Sequence, residues 1–250
     1  MNIDPVAFSI GGLDVYWYGI LISTGVLLGL LLAMRQARRY GISDELPLVF
    51  LFWALPLGLL GSRLFYVIFN WSFYSQNPHL ILAFRQGGLA IHGAVLTGVL
   101  VLAFYCRAKR VNFWLMGDTL APSLILAQAI GRWGNYFNQE AYGVETDLPW
   151  AMFIAGAYRH PTFLYESIWN FLVLGALMVF SNRKHHQGEI VTKYFIFYSI
   201  GRFFIEGLRT DSLYIGPIRQ AQALSLVFIV GGIFLLRWLR QNQAEAPIKG

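Results

Sequence analysis

The sequence predicts an all-α integral membrane protein, a seven-transmembrane-helix bundle with a small extracytoplasmic cap. Of its 250 residues, 56% are hydrophobic and 13% are charged, whereas a soluble domain carries about 25% charged residues. The aromatic share is 16%, with 8 Trp and 13 Tyr, residues that concentrate where a membrane meets water. A soluble fold of this length has too little interior for so much apolar sequence, and intrinsic disorder is excluded by the same composition.

Apolar segments of about 20 residues, the length that crosses a bilayer, recur along the whole chain. Lipid offers the backbone no hydrogen-bond partners, so such segments must be helices or barrel strands, and the two-residue alternation of a barrel is absent. Gly25 and Gly29, four residues apart, predict a close helix–helix contact. We expect one transmembrane domain over residues 1–250, with spans at about 16–37, 47–70, 88–106, 113–137, 162–181, 190–208 and 219–238.

Lysines and arginines in the connections predict the orientation of the bundle. Twelve fall on one side and four on the other, and the positive-inside rule places the richer side in the cytoplasm. The N-terminus is then extracytoplasmic, the C-terminus is cytoplasmic, and the connection 138–161 forms the cap. Most of the net charge of +6 reflects this topology, so we expect no nucleic-acid partner. The cytoplasmic set is Arg35, Arg38, Arg39, Arg107, Lys109, Arg110, Arg183, Lys184, Lys193, Arg237, Arg240 and Lys249, and the other set is Arg85, Arg159, Arg209 and Arg219.

Ionisable residues within the spans point to a site. Each costs about 2.5–3.5 kcal/mol at the centre of an inserted helix, so such residues usually face the bundle interior. Six of the seven fall in the outer third of the membrane, on five helices, and only Asp118 lies on the inner side. The seven are Arg63, His92, Asp118, Arg132, Glu166, Arg202 and Glu206.

Two of these helices carry a polar stripe. Arg202 and Glu206 are four residues apart and share a helix face, and Asp118, Gln128 and Arg132 follow a seam of the fourth span that continues to Asn135. Guanidinium groups bind phosphate in bidentate fashion and stay charged when buried. A wet cavity for an anionic, amphipathic ligand such as a phospholipid headgroup is therefore predicted. For Arg63 alone the favoured interpretation is an arginine that extends to the headgroups.

No metal site or cofactor is expected from the sequence. Cys106 is the only cysteine, which excludes an intramolecular disulfide and a cysteine-rich metal site. His185 and His186 are adjacent, without the helical spacing of a metal-binding pair.

The densest polar stretch is Gly-Arg-Trp-Gly-Asn-Tyr-Phe-Asn-Gln-Glu-Ala-Tyr-Gly, residues 131–143, hereafter the signature segment. It resembles the signature of the prolipoprotein diacylglyceryl transferase family, Gly-Arg-x-Gly-Asn-aromatic-x-Asn-x-Glu-x-x-Gly. Four further segments resemble family motifs in the family's order: Trp-Tyr-Gly at 17–19, Gly-Gly-Leu-Ala-Ile-His-Gly at 87–93, His-Pro-Thr-Phe-Leu-Tyr-Glu at 160–166 and Gly-Arg-Phe-Phe-Ile-Glu at 201–206.

The resemblance implies a bacterial cytoplasmic-membrane enzyme that moves the diacylglyceryl group of phosphatidylglycerol to the lipobox cysteine of a prolipoprotein signal peptide. The nucleophile is then the substrate's own thiol, which is reactive as the thiolate, and glycerol phosphate is released. The residues expected to catalyse the reaction are His92, Arg202, Glu206 and Tyr18. Those expected to bind phosphatidylglycerol are Arg132, Asn135, Glu140 and Gly143.

Each role has an alternative. Arg132 and Arg202 would hold the phosphate and Glu206 would orient Arg202, although structural ion pairs are possible. His92 is a candidate base, since an unperturbed imidazole has a pKa near 6.5. Alternatively, His92 makes a structural hydrogen bond between two helices. Tyr18 would reach the headgroup or belong to the aromatic belt.

Two other functional classes compete with the transferase. A small transporter for an anionic amphipathic solute predicts internal repeats and polar residues that continue to the midplane, and neither is evident. An intramembrane hydrolase needs a partnered nucleophile or an aspartate pair, whereas Ser123 has no flanking glycine elbow and Asp118 has no intramembrane aspartate partner.

Overall fold

The computed structural model describes residues 4–84 and 87–248, so Arg85 and Lys249, which entered the charge count, lie outside the described residues. Its helices are α1 (Trp17–Arg39), α2 (Glu45–Phe69), α3 (Trp71–Tyr74), α4 (Ile91–Lys109), α5 (Phe113–Phe137), α6 (Thr162–Ser181), α7 (Glu189–Glu206) and α8 (Gln220–Asn242), with a 3-10 turn at Pro78–Leu80. Three antiparallel hairpins pair β1 (Val6–Ile10) with β2 (Leu13–Tyr16), β3 (Met152–Ile154) with β4 (Ala157–Arg159), and β5 (Tyr214–Ile215) with β6 (Ile218–Arg219).

Helices occupy all seven predicted apolar segments, and six of them are long and apolar enough to cross a membrane. The exception is α7, because its 18 residues include Glu189, Lys193, Arg202 and Glu206. A mostly helical integral membrane protein with six candidate spans is therefore confirmed. The passage of α7 through the membrane stays a prediction.

Helix α5 occupies the centre, since it packs against α1, α6 and α7. Its contact with α1 depends on small residues: a Cβ atom at Gly25 would lie 3.1 Å from the backbone oxygen of Ala127, and one at Gly29 would lie 3.0 Å from that of Ser123. The close contact predicted from the two glycines is confirmed. Polar residues on α5 can consequently meet side chains from three other helices.

At the opposite end of α5 from the signature segment, Asp118 fixes the start of α7. Its fully buried carboxylate accepts hydrogen bonds from the backbone N–H groups of Gly188 at 2.7 Å and Val191 at 2.9 Å. A negative charge at a helix N-terminus is favoured by the unpaired N–H groups and by the helix dipole. Asp118 is thus a structural residue, and its position sets the register of α7 against α5.

Arg63 organises the connection between α2 and α4. It is only 4% exposed, and its guanidinium lies 5.2 Å from the ring centre of Tyr74. Its N–H groups donate to four backbone carbonyls, those of Leu80 (2.6 Å), Ile81 (2.8 Å), Gly87 (2.7 Å) and Gly88 (2.9 Å). The prediction that Arg63 extends to the headgroups is wrong, because these carbonyls hold the side chain inside the protein.

The connection between α5 and α6 folds into a small sheet, which we call the cap ladder. Its four segments, in order, are 208–210, 142–146, β4 and β3. Val144 donates its N–H to the oxygen of Leu208 at 2.9 Å, and Thr146 donates to that of Tyr158 at 3.1 Å. Arg159 of β4 pairs with Glu145 at 3.0 Å. The ladder joins the end of α7 to the signature segment.

Candidate active site

Glu166, near the start of α6, has a buried carboxylate at the centre of a group of charged side chains. This group, hereafter the charged cluster, consists of Arg132, Glu166, Arg202, Glu206, Arg209, Asp211 and Arg219. Its side chain is 5% exposed, and Arg132 of α5 approaches Oε2 with Nε at 2.5 Å. Oε1 receives Arg202 of α7 at 2.7 Å and Arg209, just beyond α7, at 3.2 Å. The predicted convergence of Arg132 and Arg202 is thereby observed, and one carboxylate joins them.

A second carboxylate supports the same arginines from α7 itself. Glu206, whose side chain is 3% exposed, lies 2.7 Å from Nη2 of Arg202 and 4.0 Å from Nε of Arg209. Arg209 also makes a bidentate contact with Asp211, in which Nε donates to Oδ1 at 2.9 Å and Nη2 donates to Oδ2 at 2.6 Å. Those hydrogen bonds lower the pKa of the Asp211 carboxyl. Arg219 donates to the backbone oxygen of Glu206 and closes the cluster from the start of α8.

The polar seam predicted on α5 faces α7 for most of its length. Nη2 of Arg132 lies 3.5 Å from the hydroxyl of Tyr198, and Gln128 donates to the hydroxyl of Tyr194 at 2.9 Å. Deeper still, Asp118 binds the start of α7. Asn135 departs from this pattern, because its side chain turns to the signature segment.

Tyr18 of α1 packs against α5 within the signature segment. A Cβ atom at Gly134 would come within 2.5 Å of the Tyr18 ring, so only glycine lets the ring approach this closely. The neighbouring Trp17 stacks on Phe137 with ring centres 5.1 Å apart. Tyr18 is 39% exposed, and its ring lies against Gly134, the residue that precedes Asn135 on α5.

The signature segment leaves α5 in a turn organised by Glu140. Its Oε1 accepts hydrogen bonds from Asn135 at 3.0 Å and Asn138 at 3.2 Å. Two residues of the turn, Gln139 and Ala141, have positive φ angles of 52° and 55°. Glu140 is exposed, so these side chains can present polar groups to a ligand.

Gly143 is required by crowding of the backbone. A Cβ atom there would lie 2.6 Å from Cβ of His160, 3.0 Å from the oxygen of His160 and 3.1 Å from that of Leu208. The imidazole Nδ1 of His160 is also 3.2 Å from the hydroxyl of Tyr165. Gly143 therefore shapes the cap ladder beside the cluster.

His92 is not joined to the charged cluster by any contact in the described ranges. It is the second residue of α4, it is exposed, and its ring centre lies 6.3 Å from that of Phe65 on α2. Gly93 brings α4 onto α2, since a Cβ atom at Gly93 would lie 2.5 Å from the oxygen of Gly61. His92 thus faces an open region rather than a completed hydrogen-bond network.

Sequence reasoning left four contributors to the cluster unassigned: Glu166, Arg209, Asp211 and Arg219. Glu166 and Arg209 carried a signal, because the first is a charged residue at a span start and the second extends the stripe of Arg202 and Glu206. Asp211 and Arg219 gave no signal, since charged residues outside a span are usual. The packing of the helices determines which carboxylate the arginines share, and residue types alone do not reveal it.

Comparison with known proteins agrees with this geometry. The family model described as prolipoprotein diacylglyceryl transferase matches residues 5–238. A phosphatidylglycerol–prolipoprotein diacylglyceryl transferase of Clostridioides difficile is 50% identical over 230 residues, covering 92% of this chain and 93% of that protein. One of the same name from Finegoldia magna is 50% identical over 93% of this chain and 94% of its own length. Another of that name from Bacillus cereus is 44% identical over 98% of this chain and 95% of its own length.

Neither the family model nor these relatives supports the transporter alternative. The matches extend over nearly the whole chain, including the helices that carry Arg132, Glu166 and Arg202. The chain belongs to the prolipoprotein diacylglyceryl transferase family.

Proposed function

We propose that the protein transfers the diacylglyceryl group of phosphatidylglycerol to the lipobox cysteine of bacterial prolipoproteins, the first step of lipoprotein maturation. The observation that carries this proposal is the meeting of Arg132 and Arg202 on Glu166 at the cap end of the bundle. The names of the relatives supply the two substrates, phosphatidylglycerol and prolipoprotein. A multi-pass protein of the bacterial membrane fits both.

The charge balance of the cluster favours a singly charged anion. Four arginines (Arg132, Arg202, Arg209 and Arg219) stand against three carboxylates (Glu166, Glu206 and Asp211), which leaves one net positive charge. A phosphodiester carries one negative charge. Its binding would neutralise the cluster, and fixed guanidinium donors would also stabilise the charge that grows on the departing phosphate.

In the proposed reaction the cysteine sulfur attacks a saturated glyceryl carbon. A carbon–sulfur bond forms, the bond from that carbon to the phosphate oxygen breaks, and glycerol phosphate leaves with the electron pair. Arg132 and Arg202 hold the phosphate, and Glu206 orients Arg202 through their 2.7 Å contact. The thiol proton passes to a base, for which we propose His92 because the unprotonated ring nitrogen of a neutral imidazole can accept a proton.

The remaining site residues are proposed to shape the headgroup pocket. Tyr18 would direct its hydroxyl to the lipid headgroup from its position on Gly134. Asn135 and Glu140, which bond each other at 3.0 Å, would contact the glycerol. Gly143 allows the cap ladder to close beside them.

We also propose that α7 is the seventh membrane span, with the N-terminus extracytoplasmic and the C-terminus cytoplasmic. The contact of Trp17 with Phe137 supports an N-terminus on the same side as the cap. Single cysteines introduced at Asp4 and Gln243 into a Cys106→Ser background test this. A membrane-impermeant maleimide should label the first in intact cells and the second only after lysis.

The decisive experiment incubates the purified protein with phosphatidylglycerol and a lipobox peptide and then determines the peptide mass. We expect a gain of one diacylglyceryl unit, and none with a Cys→Ser peptide. Arg132→Ala and Arg202→Ala should each lose about 100-fold or more in rate, the order seen when one donor to a developing charge is removed. Near-normal rates in both folded variants would contradict the proposed site.

A further inference from the structure

Strand β3 is the outer strand of the cap ladder, and its side that faces away from β4 is called the margin below. Strand β3 pairs with β4 through Met152–Arg159, Phe153–Tyr158 and Ile154–Ala157. The turn between them consists of Ala155 and Gly156, with φ angles of 49° and 86°. Positive φ at both positions is typical of a type I′ turn.

This register decides which backbone groups point outward. In a two-residue hairpin the pair next to the turn exchanges both hydrogen bonds, and the next pair exchanges none. Phe153 and Tyr158 are that second pair, so their backbone groups point away from each other. Tyr158 uses its carbonyl to accept from Thr146 at 3.1 Å on the inner side, and Phe153 directs its N–H and C=O to the margin.

Within the ranges 4–84 and 87–248, no group outside the hairpin bonds the backbone of Phe153. The strand is nevertheless firmly placed, since Ile154 is 1% exposed. On the other face, the rings of Phe153 and Tyr158 are 43% and 63% exposed, with centres 5.5 Å apart. The margin therefore offers one free donor, one free acceptor and an aromatic surface, which suits an extended peptide.

The margin also lies beside the site. Ala155 donates its N–H to Oε1 of Gln139 in the signature segment at 2.9 Å. At the other side of the ladder, Arg209 pairs with Gly143. Segment 208–210, which contains Arg209, is separated from β3 by three strand spacings of about 4.8 Å, or about 14 Å in all.

We infer that β3 is a docking strand for the prolipoprotein, and that it pairs with the extended segment that follows the lipobox cysteine. This inference rests on the proposed function. An extended chain advances about 3.4 Å per residue, and the docked peptide lies one strand spacing beyond β3, about 19 Å from segment 208–210, so between about five and six residues cover the distance. The residue that pairs with Phe153 is then at about position five to seven after the cysteine.

The test compares two lipobox peptides with phosphatidylglycerol in micelles, one ending two residues after the cysteine and one ending ten residues after it. We expect a KM about three- to tenfold lower for the long peptide, the gain that one or two backbone hydrogen bonds provide, with kcat unchanged. Phe153→Pro removes the outward N–H, which the hairpin does not use, and should abolish the gain. Phe153→Ala, the matched control, should keep it in large part.

A second measurement leaves the enzyme unaltered. N-methylation of the long peptide at the fifth, sixth and seventh positions after the cysteine removes the paired N–H in every register that the distance allows, and should raise its KM to that of the short peptide. Equal KM values for the two peptides, or a gain that survives both Phe153→Pro and N-methylation, would overturn the docking strand while lipidation continued. If wild-type enzyme lipidates neither peptide, the proposed function fails and the inference fails with it.

Discussion

Arg202 lies 2.7 Å from Oε1 of Glu166, although the two residues belong to different helices and are 36 positions apart. The same carboxylate also receives Arg132 and Arg209. In a bundle of mostly apolar helices, this shared carboxylate sets the relative positions of α5, α6 and α7 at the proposed active site.

Removal of the Glu166 charge should therefore damage both stability and activity. In Glu166→Gln, three guanidinium groups lose a common partner that is 5% exposed. Breaking a buried pair costs about 3–5 kcal/mol. We expect a marked fall in unfolding free energy, measured by denaturation in detergent, and a rate at least tenfold lower.

The matched control is Glu145→Gln, which breaks the contact with Arg159 on the cap. The Glu145 side chain is 68% exposed, and exposed pairs contribute about 0–1 kcal/mol. Equal losses in the two variants would contradict the central role of Glu166.

Asp118 should matter for stability and hardly at all for chemistry. Asp118→Ala leaves the N–H groups of Gly188 and Val191 without their acceptor, and loss of a helix cap costs about 0.5–2 kcal/mol. Asp118→Asn keeps an oxygen acceptor and should lose less. Denaturation and the lipidation rate per folded molecule measure the two effects. A rate loss in folded Asp118→Asn comparable to that of Arg132→Ala would argue for a catalytic role.

Acid should destabilise the protein partly through His185. Burial lowers the pKa of this imidazole, whose Nε2 lies 3.2 Å from the hydroxyl of Tyr40. The unfolded chain then binds a proton below about pH 6.5 while the folded chain stays neutral, so stability falls as the pH drops toward the folded pKa. Wild type should lose more stability between about pH 7 and pH 5 than His185→Gln does.

His79→Gln provides the comparison, because His79 is an exposed histidine. Its stability should follow pH as wild type does. Identical pH profiles for wild type and His185→Gln would show that the buried imidazole makes no contribution.

Gly143→Ala should disturb the cap ladder through steric overlap. The added methyl group would lie 2.6 Å from Cβ of His160 and close to two backbone oxygens, so the backbones must separate. Overpacking of this kind costs about 1–3 kcal/mol, and we expect a reduced lipidation rate. Gly98→Ala, where nothing lies within 4 Å, should be neutral or slightly stabilising. A fully active Gly143→Ala would mean that the ladder can shift freely.

The sequence predicts the helices well, because an apolar segment must be helical in lipid whatever its neighbours are. It also predicts the stripe of Arg202 and Glu206, since helical spacing alone places them together. The role of Glu166 could not be predicted, because it depends on where three helices cross. Arg63 was misinterpreted for a similar reason: its acceptors are backbone carbonyls, which residue types do not reveal.

The charged character of α7 has a consequence for biogenesis. Glu189 and Glu206 are the first and last residues of α7, and Lys193 and Arg202 lie between them. A charge costs about 2.5–3.5 kcal/mol at the centre of a helix entering lipid and less toward its ends, so these four charges together weaken the insertion of α7 on its own. Within the finished fold they meet partners on other elements, such as Glu166 for Arg202 and Arg240 for Glu189. We therefore expect that α7 partitions from the translocon only together with its neighbours, and that assembly of the charged cluster is itself part of membrane integration.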